Sequence, residues 1–387
     1  MRRIRVAHVI TRLCMGGAQE NTFHTVRLAD RGRYEMELIA GHVADEEGSI
    51  EDQVRSAGIE VLRVPDLVRD PSPLRDWRAY RALVRLFRSR QYDIVHTHTS
   101  KAGYLGRMAA AQAGVPIVVH TPHGHIFFGY FNAPLTAFFT LLERHAARKT
   151  DRLVALTRRG IEEHLARRVG RREQWVDIFS GIDLAPFEGA IARRAQTRAS
   201  LGLAPHDPVV GAVGRLEPVK GFTYFVEAAR IIHRIAPSAR FILAGDGSQR
   251  AALSAQAVEL GGRFQFLGRR NDVPDLMAAM DICVAPSVNE GMGRVVLEAA
   301  GGGVPVVASE VGGIPEVVCD GVTGLLVRPR DATAIAAAVL ALLDDAALRE
   351  RMGRAAREFV RRYSVERMVA RIEGLYDSLF KEKRLDP

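Results

Sequence analysis

The sequence is poor in cysteine, with three residues, Cys14, Cys283 and Cys319, in a chain of 387. They are odd in number, widely spaced and set among small or apolar neighbours. This pattern predicts neither a disulfide framework nor a cysteine-bound zinc site. Such cysteine usage is typical of a reducing compartment, and we expect a cytoplasmic protein.

Long apolar runs are also missing, since no stretch approaches the roughly 18 residues of a transmembrane helix. The N-terminus, MRRIRVAHVI, passes from basic residues directly into a short alternating apolar run, which predicts a first strand and not a signal peptide. Aromatic residues make up 7% of the chain and do not interleave with basic residues as in nucleic-acid-reading modules. We therefore expect no membrane span and no nucleic-acid partner.

Positive charge is abundant: the formal net charge is +9 and the pI is about 9.8. The arginines are scattered over many predicted helices and form no single basic motif. A balance of this kind favours acidic partners, such as a phosphorylated substrate or an anionic lipid surface.

Predicted strands and helices alternate along the chain, which indicates parallel, doubly wound sheets. The periodicity weakens from Leu184 to Asp207, which predicts a domain boundary near residues 185 to 205. A second alternation begins with the strand Val209 to Val213. A chain of 387 residues exceeds the size of one hydrophobic core. The predicted fold class is α/β, with two doubly wound Rossmann-like domains facing a cleft.

The first glycine turn of the chain is Gly16-Gly17, between the strand Arg5 to Thr11 and a helix from about Ala18. It lacks the three-glycine fingerprint of dinucleotide-binding folds, so the sequence does not favour a nicotinamide enzyme. Two adjacent glycines still allow the backbone to approach a ligand closely.

The stretch Pro286 to Val306 (PSVNEGMGRVVLEAAGGGVPV) is the most informative part of the sequence. A buried strand is predicted to end at Pro286, a glycine loop to follow, and a helix to begin near Arg294. The first N–H groups of a helix lack internal partners and carry the positive end of its dipole. The junction therefore predicts an anion site, with a phosphate as the natural ligand.

Two carboxylates flank this predicted anion site, Glu290 in the loop and Glu298 in the helix. If the whole span were helical they would lie ~12 Å apart by rise, beyond the ~5 to 9.5 Å of a glycosidase pair. Carboxylates beside a phosphate suit hydrogen bonds from sugar hydroxyls, which a nucleotide sugar supplies. The alternative is that Glu290 caps the helix and that Glu298 is a solvated helix residue.

Two cations, Arg215 and Lys220, occupy a turn between a strand and a helix of the same predicted domain. A guanidinium and an ammonium together can neutralise a departing diphosphate without a divalent cation. The alternative is a pair of solvated surface cations.

Histidines accumulate around the strand Pro116 to His120 and the loop after it, where doubly wound sheets bind ligands. They lack thiols and a carboxylate at metal-ligand spacing, so we predict no metal site. Strand positions predict a structural role for His96 and His120. The full set is His96, His98, His120, His123 and His125.

The segment Ile126 to Phe139 (IFFGYFNAPLTAFF) is the most aromatic part of the chain. Two interpretations remain open: an inward-facing helix, or a partly exposed one that lies on a membrane surface or holds a lipid-like acceptor.

Several motifs together resemble the retaining glycosyltransferases of family 4, which have the GT-B fold. They are Gly214-Arg215-Leu216 with Pro218 and Lys220-Gly221, Pro286-Ser287, Glu290-Gly291-Met292-Gly293, Leu297-Glu298-Ala299, Gly16-Gly17, the His123 loop and Ser180-Gly181-Ile182-Asp183. Their joint occurrence in this order is highly specific, and the resemblance covers nearly the whole chain. It implies an N-terminal acceptor-binding domain (residues 1–190), a C-terminal nucleotide-sugar domain (191–365) and a last helix (366–387) that packs on the N-terminal domain.

The resemblance also implies roles for individual residues. Arg215 and Lys220 would bind the donor diphosphate, Glu298 the ribose hydroxyls, and Glu290 the donor sugar. Backbone amides would support the phosphates and the sugar, and Gly17 and His123 of the N-terminal domain would approach the diphosphate and the reacting carbon. The residues that supply these amides are Gly291, Met292, Gly293 and Arg294, of which Met292 and Arg294 depart from the aromatic or aliphatic residues usual in the family.

The runs HTHTSKAGYLGR and HTPHGHIFFGYF resemble the branch of this family that builds bacterial surface polysaccharides. The resemblance implies a nucleoside-diphosphate sugar donor, with UDP favoured, a saccharide or polyprenyl-diphosphate-linked acceptor, and no cofactor. It is also consistent with attachment to the inner face of the plasma membrane. The alternatives are a sugar-nucleotide epimerase or hydrolase on the same scaffold, and a non-catalytic nucleotide-sugar-binding subunit.

Overall fold

The computed structural model describes residues 2–42, 48–124 and 132–385. The chain divides into two compact units, the first comprising residues up to Gly181 and from Val365 onward, the second Ile182–Ser364. The first boundary falls before the expected one at residue 190. The reason is that Phe187 is buried against Gly301, deep in the second unit.

The strands form two sheets in which each neighbouring pair is parallel. The order is β3-β2-β1-β4-β5-β6-β7 in the first unit and β10-β9-β8-β11-β12-β13 in the second. The strands are β1 (Ile4–Ile10), β2 (Tyr34–Ala40), β3 (Val61–Arg63), β4 (Ile94–His98), β5 (Ile117–Thr121), β6 (Arg152–Ala155), β7 (Trp175–Asp177), β8 (Val209–Val213), β9 (Arg240–Ala244), β10 (Phe264–Gly268), β11 (Ile282–Ala285), β12 (Val306–Ser309) and β13 (Gly324–Val327).

Helices connect successive strands, as parallel pairing requires. The helices are α1 (Gly17–Leu28), α2 (Glu51–Ser56), α3 (Pro73–Arg90), α4 (Ser100–Ala113), α5 (Ala133–Ala147), α6 (Arg158–Ala166), α7 (Ala185–Ala190), α8 (Arg194–Ser200), α9 (Phe222–Ile235), α10 (Arg250–Gln256), α11 (Val273–Ala279), α12 (Arg294–Gly301), α13 (Ile314–Val317), α14 (Ala332–Asp344), α15 (Ala346–Val360) and α16 (Val365–Glu382).

In the first unit, helix α16 covers one face of the sheet. Its apolar residues recur at helical spacing, with Met368, Ile372, Tyr376 and Leu379 all buried against strands β1, β4 and β5. Helices α3 and α4 cover the opposite face. The last helix of the chain is therefore part of the core of the first unit.

In the second unit, three phenylalanines form an aromatic contact in the core. Phe225 of α9 lies 6.4 Å from Phe241 and 5.6 Å from Phe264 between ring centroids. Each side chain is nearly fully buried, which stabilises the fold by about 1.5–3 kcal/mol per residue.

Each sheet has a switch point, where connections leave a central strand in opposite directions. It lies between β1 and β4 in the first unit and between β8 and β11 in the second. Ligands of doubly wound sheets bind at the carboxyl ends of these strands. The predicted α/β class with two doubly wound Rossmann-like domains is confirmed.

Residues 125–131 lie outside the part of the chain that the structure describes. The rest of the aromatic segment, from residue 133 on, lies in helix α5. Leu135, Phe138 and Leu141 are 38%, 53% and 58% exposed. The inward-facing interpretation is therefore wrong for Leu135 and Phe138, which lie within the segment. Among the described residues, none of the helices is both long enough and apolar enough to cross a bilayer.

Candidate functional site

The turn after β8 carries the first two predicted site residues, Arg215 and Lys220. Leu216 anchors it: its side chain is fully buried and its N–H donates to the carbonyl of Asp246, at 2.9 Å. Gly245 makes this contact possible, because a Cβ there would lie 1.8 Å from the carbonyl oxygen of Gly214.

This turn is joined to the loop that follows β11. The N–H of Val288 donates to the carbonyl of Val219 at 2.8 Å. Gly221, at φ +66°, approaches the same loop so closely that a Cβ would lie 2.1 Å from the carbonyl oxygen of Pro286. The two loops at the switch point of the second sheet thus form one structural element.

Lys220 and Glu290 form an ion pair across this element. Lys220 Nζ lies 2.5 Å from Glu290 Oε2, and Ser287 Oγ donates to the same oxygen at 3.3 Å. The side chains are only 24% and 16% exposed, so the pair is less screened by solvent than a surface pair. Lys220 retains two further N–H donors, and Glu290 retains Oε1 as an acceptor.

The main chain of Glu290 is held by a second close approach. A Cβ at Gly312 would lie 1.7 Å from the carbonyl oxygen of Glu290, and the N–H of Gly313 donates to that oxygen at 3.3 Å. Glu290 is therefore fixed through both its backbone and its side chain.

Helix α12 begins after Gly293, which has φ +88° and contributes no side-chain cap. The alternative prediction, that Glu290 caps this helix, is therefore wrong. Glu298 accepts a hydrogen bond from Arg294 Nε at 3.0 Å, one helical turn away. The N–H groups of Gly291 and Gly293 have no hydrogen-bond acceptor within the part of the chain that the structure describes, which leaves them available to an anion.

Arg215 differs from Lys220 in its surroundings. Its side chain is exposed, and its guanidinium has no ion-pair or hydrogen-bond partner among residues 2–42, 48–124 and 132–385. It is a forked donor that the fold itself does not use. Met292, in contrast, is buried.

Cys283 lies on β11, just before the loop. Burial, together with the nearby Glu298 carboxylate, raises the pKa of its thiol to about 12. The thiol therefore stays protonated at neutral pH and is no nucleophile.

In the first unit, Gly17 is the first residue of α1 and lies after β1 at the switch point. The N–H of Glu20 closes the first turn on the carbonyl of Gly16 at 3.1 Å. The N–H of Gly17 precedes this bond and finds no acceptor in the described part of the chain. Its position is suited to binding an anion.

His123 follows β5 and has φ +60°, a left-handed conformation that is rare for a residue other than glycine. Its Nε2 lies 2.9 Å from Nδ1 of His98. Its Nδ1 is buried and has no hydrogen-bond partner among the described residues, although the residue as a whole is partly exposed. Burial lowers the pKa of His123 to about 3, so the ring is neutral at physiological pH.

A cluster of buried histidines lies behind His123. His96 lies on β4 and His120 on β5, as predicted, and His98 is the last residue of β4. The cluster also contains His8 of β1, which the sequence analysis did not select. The sequence does contain a signal for it, because His8 is the one ionisable side chain within the apolar run VAHVI.

His8, His96 and His98 are the described residues whose ring nitrogens come close enough to hold a metal ion, within 4.8 Å of one another. All six nitrogens, however, are already in hydrogen bonds with one another, with Tyr376, with Thr121 or with His123. A metal would have to replace these bonds. The arrangement therefore fits a hydrogen-bonded network better than a metal centre.

Two doubly wound domains, the second with a glycine-rich loop element that carries Lys220 and Glu290, have the architecture of glycosyltransferases with the GT-B fold. Family models agree: residues 16–178 match the glycosyl transferase 4-like domain and residues 193–359 match glycosyl transferases group 1. The chain belongs to family 4 of the glycosyltransferases.

Individual relatives support this assignment. The chain is 32% identical to the UDP-Gal:alpha-D-GlcNAc-diphosphoundecaprenol alpha-1,3-galactosyltransferase of Escherichia coli, with 98% of both chains covered. It is 34% identical to the D-inositol 3-phosphate glycosyltransferase of Mycobacterium marinum (strain ATCC BAA-535 / M) over 71% of this chain and 61% of that protein. The structure of Anabaena Alr3699/HepE in complex with UDP-glucose superposes with a TM-score of 0.81 at 26% identity, over 97% of this chain and all of that one.

Proposed function

We propose that the protein is a retaining, metal-independent glycosyltransferase that moves a hexosyl or N-acetylhexosaminyl group from a UDP-sugar to a polyprenyl-diphosphate-linked saccharide in polysaccharide biosynthesis. The Lys220–Glu290 pair carries the proposal, because it sets a cation for the diphosphate beside a carboxylate for the sugar. The donor and acceptor classes are supported by the name of the Escherichia coli relative, which uses UDP-Gal and a lipid-linked GlcNAc.

Each predicted residue has a task in this proposal. Arg215, which has no partner of its own in the described chain, and Lys220, through its two remaining donors, bind the diphosphate. The amides of Gly291 and Gly293 support the same phosphates. Glu290 accepts a hydrogen bond from a sugar hydroxyl through Oε1.

The remaining assignments concern the nucleoside and the first unit. Glu298 accepts from the ribose hydroxyls while the hydrogen bond from Arg294 Nε orients its carboxylate. Gly17 contributes its N–H to the diphosphate, and His123 contributes Nδ1 to the donor sugar. Met292 and Arg294 line the loop through their backbones.

In the reaction, the bond from the anomeric carbon to the phosphate oxygen breaks, and the electron pair leaves with the diphosphate. The acceptor oxygen forms its bond on the same face, and its proton passes to the departing phosphate. Positive charge fixed near the leaving group stabilises this step without reorganisation.

A transfer assay tests the proposal. Purified protein, a UDP-sugar and a short-chain polyprenyl-diphosphate-linked GlcNAc are incubated with EDTA, and the linkage is assigned by NMR. We expect transfer with the anomeric configuration of the donor retained, and a loss of at least about 100-fold in kcat for Glu290→Gln, which keeps the size of the side chain. An inverted product, or full dependence on added metal, would contradict the mechanism.

The same assay without acceptor separates the alternatives. Without acceptor, an epimerase would bring the donor to equilibrium with its epimer, and a hydrolase would consume the donor completely. A non-catalytic subunit would bind UDP and convert nothing. The proposed transferase consumes the donor at a substantial rate only when acceptor is present.

We further propose that the first unit attaches to the cytoplasmic face of the membrane through α5. Leu135, Phe138 and Leu141 are spaced three residues apart and exposed, and the exposed Arg148 and Lys149 follow at the end of the helix. Apolar residues beside basic ones suit an anionic bilayer, where a polyprenyl-linked acceptor resides.

Vesicle sedimentation tests this attachment. We expect binding to vesicles that contain anionic phospholipid, and weaker binding of a Phe138→Ser and Leu141→Ser double variant. Ile235→Ser is the matched control, since Ile235 is 66% exposed but lies on α9 of the second unit. Equal sedimentation of the double variant and the control would refute the role of α5.

A further inference from the structure

A continuous chain of buried hydrogen bonds connects helix α16 to His123. Tyr376 Oη lies 3.3 Å from His8 Nε2, and His8 Nδ1 lies 3.0 Å from His98 Nε2. His98 Nδ1 in turn lies 2.9 Å from His123 Nε2. The four side chains come from α16, β1, β4 and the loop after β5, all within the first unit.

The chain has a branch at Tyr376. Its Oη also lies 2.7 Å from His96 Nδ1, and His96 Nε2 lies 2.7 Å from Thr121 Oγ1. Tyr376 and His96 are fully buried. A buried polar group that loses its partner destabilises the fold, so each link of the network is held in place.

The rings in this chain are neutral at physiological pH. Burial lowers the pKa of His8 to about 3 and holds the pKa values of His96 and His98 well below their usual range. A neutral imidazole donates from one nitrogen and accepts at the other. The proton positions along the chain are therefore coupled, and reversing one link reverses all of them.

The distances at Tyr376 select one direction. A hydroxyl donor gives shorter hydrogen bonds than a ring N–H donor. We accordingly assign the 2.7 Å contact to the phenol donating to His96, and the 3.3 Å contact to His8 Nε2–H donating to the phenol oxygen. His8 then accepts from His98 Nε2–H, and His98 accepts from His123 Nε2–H.

We propose that Tyr376, acting through His8 and His98, is a positioning residue that holds His123 as the Nε2–H tautomer. His123 Nδ1 is then an unprotonated acceptor, buried and without a partner in the described chain, that receives a hydrogen bond from a hydroxyl of the donor sugar. This proposal rests on the proposed function for its effect on turnover, but not for the tautomer itself.

The variant Tyr376→Phe tests this chain, since it removes Oη and keeps the ring that packs in the core. The matched control is Tyr34→Phe. Tyr34 is also buried, its ring lies 6.0 Å from that of Tyr376, and its hydroxyl donates to Asp377 of the same helix, outside the chain. Both variants lose one buried hydroxyl from the contact with α16, so a general loss of stability affects both.

The first readout is the tautomer, measured by nitrogen-15 NMR on histidine-labelled protein without substrate. The resonances of His123 are assigned by their loss in His123→Asn. We expect His123 protonated at Nε2 in the wild type and in Tyr34→Phe, and a mixed or reversed tautomer in Tyr376→Phe. A wild-type ring protonated at Nδ1, or an unchanged tautomer in Tyr376→Phe, would overturn the proposal.

The second readout is turnover. We expect kcat for sugar transfer to fall about 10- to 100-fold in Tyr376→Phe, the range seen when the hydrogen-bond partner of a metal-bound histidine is removed, with the Kd for UDP unchanged. Tyr34→Phe keeps wild-type kcat. A shifted tautomer with unchanged kcat overturns the link to catalysis. If the wild type transfers no sugar, the proposed function fails and the NMR result still decides the tautomer.

Discussion

Gly221 offers a sharp test of the second unit's loop element. It adopts φ +66°, and a Cβ at this residue would lie 2.1 Å from the carbonyl oxygen of Pro286. Gly202 adopts the same φ of +66° in the same unit, but a Cβ there would meet nothing within 4 Å. The two glycines share a conformational requirement and differ in crowding, so Gly202→Ala is the matched control for Gly221→Ala.

The expected loss of stability has two parts, the cost of the left-handed conformation and the cost of the steric overlap. A non-glycine residue in the left-handed region costs about 1–2 kcal/mol, which applies to both variants. Overlap with a backbone oxygen adds about 1–3 kcal/mol, which applies to Gly221→Ala alone. The relaxation must separate the turn of Lys220 from the loop of Glu290 and lengthen their ion pair.

Hydrogen exchange measured by mass spectrometry reports on the loops of the second unit directly. Tryptophan fluorescence does not, because Trp77 and Trp175 belong to the first unit. We expect faster exchange in both loops of Gly221→Ala, with kcat/KM for the donor reduced at least about 10-fold, the equivalent of 1.4 kcal/mol. Gly202→Ala keeps wild-type kcat/KM. Equal exchange and equal kcat/KM in the two variants would refute the claim that the loops form one element.

Two further predictions concern buried ionisable groups. Because the pKa values of His8 and His123 are lowered to about 3, the unfolded chain binds protons between about pH 6.5 and 3 that the folded chain does not. The free energy of unfolding should therefore fall by about 2 kcal/mol for each ring between pH 7.5 and 5. Urea unfolding followed by tryptophan fluorescence measures this change. A free energy of unfolding that does not vary with pH would contradict the burial of these rings. Cys283, whose pKa is raised to about 12, should resist iodoacetamide at pH 8 while the exposed Cys319 reacts. Mass spectrometry locates the labelled cysteines, and rapid labelling of Cys283 in the folded protein would contradict its burial.

Local sequence patterns were sufficient for most of the second unit. The strand Val209–Val213 has the bounds that periodicity predicted, and the helix Phe222–Ile235 and the strand Gly324–Val327 continue the same alternation. The signals were strong because apolar residues recur at helical spacing in α9, and because glycines and prolines mark the ends of the neighbouring strands. For the same reason, the glycine loop and the start of α12 near Arg294 were predicted correctly.

Contacts between distant parts of the chain were beyond local patterns. The pairing of Lys220 with Glu290 depends on β8 lying beside β11, which only the strand order reveals. The contact of Tyr376 with His8 joins residues 368 positions apart. Neither the charge pattern nor the spacing of histidines contains this information, because it arises from packing α16 on the sheet of the first unit.

The assignment of Arg215 and Lys220 to the donor diphosphate is tested most directly by calorimetric titration of UDP and uridine. Arg215→Ala is the informative variant because the guanidinium has no partner in the described chain, and Arg234→Ala, another exposed arginine of the second unit, is its control. We predict a Kd for UDP that rises at least about 10-fold in Arg215→Ala only, as expected for a charge-assisted hydrogen bond, with the weak affinity for uridine unchanged. A Kd for UDP equal to that of the wild type would contradict the donor site described here.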